Sequence, residues 1–160
     1  MKKFLSIIIT IITMATMLVT AFADTVDQDT TDKSRSATIS FSIAPTYTVT
    51  IPANTTVAFN ATETSFGTIT VEAAQIHSDK CIKVVLTTDG KLENAIDNSK
   101  VIPYEIKSNN AVFNSATYLK AGDKTDLTIN ITQENWNTAY AGDYSDTVTF
   151  AVSYEDRENN

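Results

Sequence analysis

The sequence has 160 residues, 42% of them hydrophobic, and a formal charge of −7 at neutral pH. A chain of this length suits one domain with a substantial core. The net charge becomes about −9 once a segment containing Lys2 and Lys3 is removed. This negative charge argues against nucleic acid and anionic membrane surfaces as partners, because both repel it.

Residues 1–23 are predicted to be a cleavable secretory signal peptide. Two lysines precede an apolar stretch that runs to Val19, and an Ala-Phe-Ala motif ends the segment at Ala23. The stretch is short for a membrane span and is diluted by several threonines. We therefore expect an exported protein that begins at Asp24, is secreted or held at a cell surface without a covalent anchor, and has no membrane partner.

The next two segments differ sharply in character. Residues 24–36 are polar and nearly free of apolar side chains, so we predict a disordered leader. Ala37–Ile43 then alternates strictly between apolar and polar residues. This segment is either the first strand of the chain's own sandwich or a strand donated to a second copy, because its apolar side chains must fill a groove in both cases. The short connection at Pro45 favours a strand of the chain's own sandwich.

The rest of the chain shows the period-two alternation that is typical of half-buried strands. The clearest alternating segments are Tyr47–Ile51, Thr68–Val71, Ile82–Leu86, Ile102–Ile106, Leu127–Ile131 and Val148–Tyr154. Only residues 72–76 and 133–140 look suited to a helical turn. The pattern predicts an all-β domain over residues 37–156, an antiparallel immunoglobulin-like β-sandwich of about seven or eight strands, followed by a tail at 157–160.

Turn residues add detail to this prediction. Asp89-Gly90 favours a type I′ hairpin turn, with Lys91–Glu93 beginning the return strand. Pro103 lacks an N–H group, so its strand should lie at a sheet edge or begin there. Ala121–Asp126 and Ala141–Asp146 share an Ala-Gly-Asp start and each precede an alternating strand. They indicate that the same type of turn occurs twice.

The single cysteine, Cys81, excludes an intramolecular disulfide. If Ile82 and its alternate neighbours face the core, Cys81 faces outward and should be dispensable for folding. His77 lies in a predicted loop, no cluster of positive charge activates the thiol, and no recognisable catalytic motif is present. We therefore predict that the protein is not an enzyme.

Two groups of residues are candidate binding sites. Asp123 with Asp126, or Asp143 with Asp146, could supply oxygen ligands to calcium, the one cofactor that the sequence suggests, although aspartates in turns also cap backbone amides. The second group is aromatic and lies within nine residues: Trp136, Tyr140 and Tyr144.

Exposed aromatic faces stack on sugars, so this aromatic group could bind carbohydrate. Alternatively, Trp136 closes one end of the sandwich while Tyr144 packs a corner near the last strand.

The closing segment Ala141–Tyr154 leads from a Gly-x-Tyr-x-Asp turn into an alternating strand. It resembles the ending of the spore-coat-U-like and archaic fimbrial subunit families. Tyr47–Pro52 and Ile102–Tyr104 also look like segments of small secreted bacterial β-sandwich proteins with the same ending. The resemblance implies a bacterial surface or fibre subunit, although the disulfide of such fimbrial subunits has no counterpart in a chain with one cysteine.

The sequence as a whole predicts a non-enzymatic secreted or cell-surface protein with a structural or adhesive role. Its predicted partner is itself, through strand donation by Ala37–Ile43, or another surface protein. A secreted carbohydrate-binding module that uses Trp136 and the neighbouring tyrosines is the alternative.

Overall fold

The computed structural model describes residues 25–158, so the predicted signal peptide lies outside the described residues, as do the last two residues of the predicted tail. Within the described range the chain forms eleven strands and one short helix. Their bounds are β1 Thr46–Thr50, β2 Glu63–Gln75, β3 Lys80–Thr87, β4 Lys91–Asn94, β5 Val101–Pro103, β6 Glu105–Ser108, β7 Ala111–Val112, β8 Ser115–Tyr118, β9 Lys124–Asn130, α1 Gln133–Asn137, β10 Tyr144–Ser145 and β11 Thr149–Asp156.

All strand pairs are antiparallel and form three sheets. The largest sheet has the order β1-β2-β9-β6-β7, and the two smaller ones have the orders β11-β3-β8 and β10-β4-β5. The prediction of an all-β, antiparallel, sandwich-like fold is confirmed. The immunoglobulin-like topology stays a prediction.

One core joins the three sheets. Apolar side chains alternate along each strand, so each sheet places one apolar face against the others and removes it from water. The largest sheet contributes Ile69, Val71, Ile106 and Leu127, the β11-β3-β8 sheet contributes Ile82, Val84, Leu86 and Tyr118, and the β10-β4-β5 sheet contributes Ile102. Seven of the core side chains are less than 2% exposed: Ile69, Ile82, Ile102, Leu127, Ile131, Val71 and Val84.

The prediction that Ala37–Ile43 forms the first strand of the chain's own sandwich is wrong. Residues 25–45 contain neither helix nor strand, and the first strand begins at Thr46. The alternation satisfies the sequence requirement for a strand, but no strand within residues 25–158 pairs with it. Strand formation needs a partner as well as a pattern.

The predicted hairpin around Asp89-Gly90 is also wrong. The amide of Lys91 donates to Asp89 Oδ1 at 3.0 Å, and Gly90 has positive φ, but Asp89 lacks the positive φ that a type I′ turn needs. In addition, β3 pairs with β11 and β8, whereas β4 pairs with β5 and β10. Turn chemistry fixes the change of direction, while the pairing partners come from residues far away in the sequence.

The prediction for Pro103 is confirmed, since β5 is an edge strand. The alternating segment around it divides into β5 and β6, which belong to different sheets on either side of Tyr104. The helical prediction holds for Gln133–Asn137, where Thr132 caps the helix by accepting from the amide of Asn135. Residues 72–76, the other segment suited to a helical turn, instead extend β2 as far as Gln75.

Helix α1 is only five residues long, and within residues 25–158 no helix is long and apolar enough to cross a membrane. Because the sheets carry the core, this short helix serves as a connection that follows β9. Its largest side chain, Trp136, packs against the core and is half-buried.

Cys81 does not face solvent as predicted: it is buried, with 4% of its surface exposed. Its thiol lies 3.8 Å from the carbonyl oxygen of Asp156, which can accept a weak hydrogen bond from it. The alternation of β3 was read correctly, because Ile82 and Val84 are fully buried in the core. The error arose because alternation shows which face a side chain is on but not whether that face is covered: Cys81 lies opposite Glu155 and against the carbonyl oxygen of Asp156.

The prediction that one turn is used twice holds only in part: both glycines have positive φ, but the two values differ widely. Gly122 and Gly142 both have positive φ, +86° and +149°. In each turn the carbonyl oxygen of the following aspartate accepts a hydrogen bond from another segment, from Val71 to Asp123 at 2.9 Å and from Ala95 to Asp143 at 2.8 Å. The surroundings differ, because a Cβ at position 142 would collide with the side chain of Asn94.

Candidate interaction surface

Residues 37–43 present three large apolar side chains to solvent. Ile39 is 97% exposed, Phe41 is 86% exposed and Ile43 is 52% exposed. Single exposed hydrophobic residues are common on proteins, but three at alternate positions in one short segment form a contiguous apolar stripe. No strand within residues 25–158 pairs with the segment that carries this stripe.

The link between this segment and β1 consists of Ala44 and Pro45. A residue that precedes proline is pushed towards extended backbone. A two-residue reversal needs glycine, asparagine or aspartate at its centre, and proline is disfavoured at its second central position. The link therefore favours a segment that continues straight out from β1 over one that folds back.

The direction of this continuation follows from strand register. Thr46 lies opposite Gln75, so β1 begins where β2 ends. The ring of Tyr47 contacts that of Tyr154, with centroids 6.0 Å apart, close to the end of β11. An extended link carries residues 37–43 beyond this end of the sandwich and away from the chain's own sheets.

Strands β1 and β11 border the same side of the molecule, although they belong to different sheets. Tyr47 meets Tyr154 there, and Phe66 of β2 meets Phe150 of β11, with centroids 5.9 Å apart. We call this side the β1/β11 seam and define it by its inward side chains: Tyr47, Val49, Phe66, Phe150, Val152 and Tyr154.

All six seam side chains are only half-buried. By contrast, the inward side chains of the neighbouring strands, such as Val71 of β2 and Val84 of β3, are fully buried. Burial thus decreases from the centre of the sandwich towards the seam. Apolar surface that a further strand would cover remains in contact with water along β11.

Charged residues cluster at the end of β11. Lys80 forms an ion pair with Asp156 at 2.5 Å, and Lys83 lies 3.4 Å from Glu155. The hydrogen bond from Lys80 to Asp156 raises the pKa of Lys80. The pKa of Glu155 is lowered, first by its hydrogen bond from Ser153 and then by Lys83. The Glu155 carboxylate is therefore ionised at neutral pH.

The three candidate aromatic residues have separate surroundings. The indole N–H of Trp136 donates to the carbonyl oxygen of Ala61 at 2.9 Å, and its ring meets Phe59 edge to face at 5.6 Å. Tyr144 packs against the core and donates its hydroxyl to the carbonyl oxygen of Tyr140 at 3.0 Å.

Of the three predicted sugar-binding rings, Tyr140 is the most exposed, with 63% of its surface accessible. The ammonium group of Lys100 lies 4.9 Å from the centroid of its ring. Packing and hydrogen bonds thus give Trp136 and Tyr144 the structural roles that the sequence had offered as the alternative to sugar binding.

Of the first pair of candidate calcium ligands, Asp123 lies in the turn before β9 and Asp126 lies within β9. Asp123 Oδ2 accepts from the amides of Leu119 and Lys120, at 2.8 and 3.1 Å. Asp126 accepts from the hydroxyl of Thr68 at 2.6 Å. Across residues 25–158, no group of three or more histidine, cysteine or acidic side chains is placed to hold a metal ion.

The second pair of candidate ligands, Asp143 and Asp146, lies on either side of β10. Asp146 accepts from the hydroxyls of Tyr104 and Thr88, at 2.5 and 3.1 Å. Burial, followed by the hydrogen bond to Asp146, raises the pKa of Tyr104, so its hydroxyl stays protonated and donates. This network ties the start of β6 to the segment before β11.

Sequence reasoning missed the network around Asp146, because the alternation marks Tyr104 only as an inward residue. It also missed Asn94, which is buried and accepts from the amides of Ile96 and Asp97 at 2.9 and 3.2 Å. The signal available for Asn94 was its position before a polar loop, since asparagine commonly bonds to the amides that follow it.

Two open clefts flank β6. A cleft of about 470 Å³ lies against α1 and has a polar lining that includes Glu105, Asn130, Gln133 and Asn135. A second cleft of about 310 Å³ lies against the β6–β7 hairpin. The predicted site residues Trp136, Tyr140 and Tyr144 line neither cleft.

Comparison with protein-family models, curated proteins and solved structures gives no match for this chain. The resemblance of residues 141–154 to fimbrial and spore-coat-U-like endings therefore stays a prediction. In the structure this segment contains the Gly142 turn, β10 and β11. The interaction surface is thus described by its own geometry: an unpaired apolar segment and a half-covered seam.

Proposed function

We propose that this protein is an exported, non-enzymatic surface protein that associates with itself by donating Ala37–Ile43 to a second copy. The observation that carries the proposal is the exposure of Ile39 and Phe41, at alternate positions of a segment without a strand partner in its own chain. The apolar side chains of such a segment are removed from water only when another surface covers them.

The free energy gained by burying these side chains is large enough to matter for the association of two molecules. Full burial of a side chain of the size of isoleucine or phenylalanine is worth about 1.5–3 kcal/mol. Three such side chains, together with backbone hydrogen bonds along a strand, can offset the entropy lost when two molecules associate. The segment itself carries no charge, so its burial requires no desolvation of an ionised group.

Export is the part of the proposal that rests on sequence alone. Residues 1–23 have the lysines, apolar stretch and Ala-Phe-Ala ending of a signal peptide. The protein recovered from culture medium should therefore begin at Asp24, and its intact mass measures this directly. A dominant species that still carries Lys2 and Lys3 would contradict both the cleavage and the proposed location.

Self-association can be tested with substitutions that do not touch the folded core. In the chain from Asp24, Phe41→Asp should abolish association, because a carboxylate cannot enter an apolar groove without a partner. Ser40→Asp is the matched control: it adds the same charge one residue away, on the opposite face of the segment. Sedimentation velocity over a range of concentrations, with electron microscopy, separates polymers from monomers.

The expected result is polymers for the wild-type chain and for Ser40→Asp, and monomers for Phe41→Asp. All three should have the same midpoint of thermal unfolding in the monomeric state, since residues 40 and 41 are exposed. A wild-type chain that stays monomeric at the highest concentration would overturn the proposal.

Carbohydrate binding is the second candidate function, and the exposed ring of Tyr140 is the observation that favours it. Wild-type protein should then bind insoluble polysaccharides in a pull-down assay, and the Tyr140→Ala variant should not. Leu119→Ala is a suitable control, because Leu119 is an exposed apolar residue elsewhere on the molecule. Equal retention of both variants would exclude Tyr140 as a sugar-binding residue.

A further inference from the structure

A donated strand can pair only with a free edge of one of the sheets. Among the strands of residues 25–158, the free edges belong to β1, β5, β7, β8, β10 and β11. Strand β11 is eight residues long and pairs with β3 along its whole length, so its other edge is regular and unpaired. Strand β1 has five residues and an irregularity between Thr48 and Val49, and the remaining edges are shorter still.

The length of the free segment matches this edge. Residues 37–43 span about 23 Å when extended and β11 about 26 Å, at roughly 3.3 Å per residue. An unpaired edge of this length presents backbone N–H and C=O groups that another strand can satisfy. The edge of β11 can therefore pair with the whole segment.

The side chains match in spacing as well. Phe150, Val152 and Tyr154 lie at alternate positions on the inward face of β11 and are half-buried. Ile39, Phe41 and Ile43 alternate in the same way. A strand placed beside β11 would bring its three apolar side chains next to these three and continue the core across the β1/β11 seam.

The short link of Ala44 and Pro45 limits how the segment can reach the edge of β11. It decides whether the strand comes from the same chain or from a second copy, and in which direction the strand runs. Tyr47 lies beside Tyr154, so Ile43 of the same chain stays near the end of β11. Folding back onto its own β11 would make the segment run parallel to that strand. It would also require the reversal at Ala44-Pro45 that these residues disfavour. A second copy can approach antiparallel without any reversal.

Charge is compatible with the antiparallel direction. Lys33 and Arg35 precede the apolar segment. Antiparallel pairing brings these two cations towards Glu158 and towards Glu155 and Asp156, whose carboxylates also form ion pairs with Lys83 and Lys80. Complementary charge of this kind contributes little to affinity but sets the orientation of a partner.

We infer that the free edge of β11 is the acceptor for Ala37–Ile43 of a second copy, in antiparallel register with Ile43 beside Phe150, Phe41 beside Val152 and Ile39 beside Tyr154. This inference rests on the proposed self-association and specifies its partner surface. Each copy donates at one place and accepts at another. The contact is therefore heterologous and generates open chains of subunits unless the rotation closes a ring.

The register can be tested by disulfide trapping between singly substituted full chains that begin at Asp24. In the inferred register Ser42 lies directly opposite Ala151, and both side chains point away from the core and are exposed. Mixing Ser42→Cys protein with Ala151→Cys protein under mild oxidation should give a disulfide-linked dimer. The native Cys81 is buried, so wild-type protein serves as the blank.

Ser40→Cys mixed with Ala151→Cys is the matched control, because those two positions face each other only in the parallel register. Disulfides require Cβ atoms about 4 Å apart, so the first mixture should yield at least about tenfold more linked dimer than the second. Higher yield from the second mixture would overturn the antiparallel register. Amide exchange should also slow in residues 37–43 and 149–156 when polymers form, compared with monomeric Phe41→Asp protein.

Failure of this inference and failure of the proposed self-association give different results. If polymers form while neither mixture crosslinks and residues 149–156 gain no protection, the acceptor lies elsewhere and only the present inference is overturned. If the wild-type chain forms no polymers, both are overturned. Slower exchange in residues 111–118 instead would place the acceptor at β7 and β8.

Discussion

Strand β9 and residues 37–43 carry the same alternation in sequence and have opposite environments in the structure. Leu127 of β9 is 1% exposed, whereas Ile39 is almost fully exposed. The difference lies in the neighbours: β9 is flanked by β2 and β6, and residues 37–43 have no strand beside them. Alternation therefore predicts which face of a segment must be buried, but not whether the same chain or a second copy buries it.

The largest expected effect tests this comparison at equivalent apolar positions. Leu127→Ala should lower the free energy of unfolding of the monomer by about 2–5 kcal/mol, because it leaves a cavity in a close-packed core. Phe41→Ala should leave it unchanged within about 0.5 kcal/mol, since its side chain is exposed. Urea unfolding at low protein concentration, where polymers are dispersed, measures both changes.

The comparison would break if Phe41→Ala destabilised the monomer as much as Leu127→Ala does. That outcome would show that residues 37–43 cover the core of their own chain in solution. Ser40→Ala is the control for the segment as a whole, because it alters the polar face and removes no apolar surface.

The turns at Gly122 and Gly142 give a second comparison of similar sequences in different surroundings. Gly142→Ala should cost about 3 kcal/mol, because the new Cβ meets the buried side chain of Asn94 and the backbone conformation is strained for any other residue. Gly122→Ala should cost about 1 kcal/mol, for strain alone, because no atom lies within 4 Å of its Cβ position. Thermal unfolding of the two variants measures the difference, and equal shifts would contradict a role for Asn94.

The smallest expected effect concerns the outer face of a strand. Cys81→Ala should lower the free energy of unfolding by about 1 kcal/mol, because a buried side chain is truncated on the central strand of its sheet. Ser42→Ala, on the polar face of the unpaired segment, should have no effect. Chemical denaturation of both variants checks this prediction, and an unchanged Cys81→Ala variant would restore the original expectation that the thiol is dispensable.

Much of the fold could be predicted from local patterns. Alternation located the core residues of β3, β9 and β11, and the missing N–H of Pro103 correctly predicted an edge strand. Pairing could not be predicted, because strand partners lie far apart in sequence. Gly90 has the positive φ that the turn prediction required and Asp89 does not, and the strands on its two sides joined different sheets.

The candidate interaction surface was predictable in part. The sequence singled out Ala37–Ile43 and posed the choice between a strand of its own chain and a donated one. The short connection at Pro45 favoured a strand of the same chain, which was wrong, because both choices bury the same side chains and the length of a link does not show whether the chain folds back. The half-covered face of β11 could not be inferred at all, since the exposure of Val152 depends on which strands lie beside it.

The surroundings of Trp136 have a practical consequence for following this protein in solution. It is the chain's one tryptophan, and its ring and indole N–H contact Phe59 and Ala61 in the connection between β1 and β2. Its fluorescence therefore reports on that connection and on α1, not on β11. Unfolding should shift the emission to longer wavelength, while polymer formation along β11 should leave it unchanged, so one optical signal distinguishes a denatured chain from an assembled one.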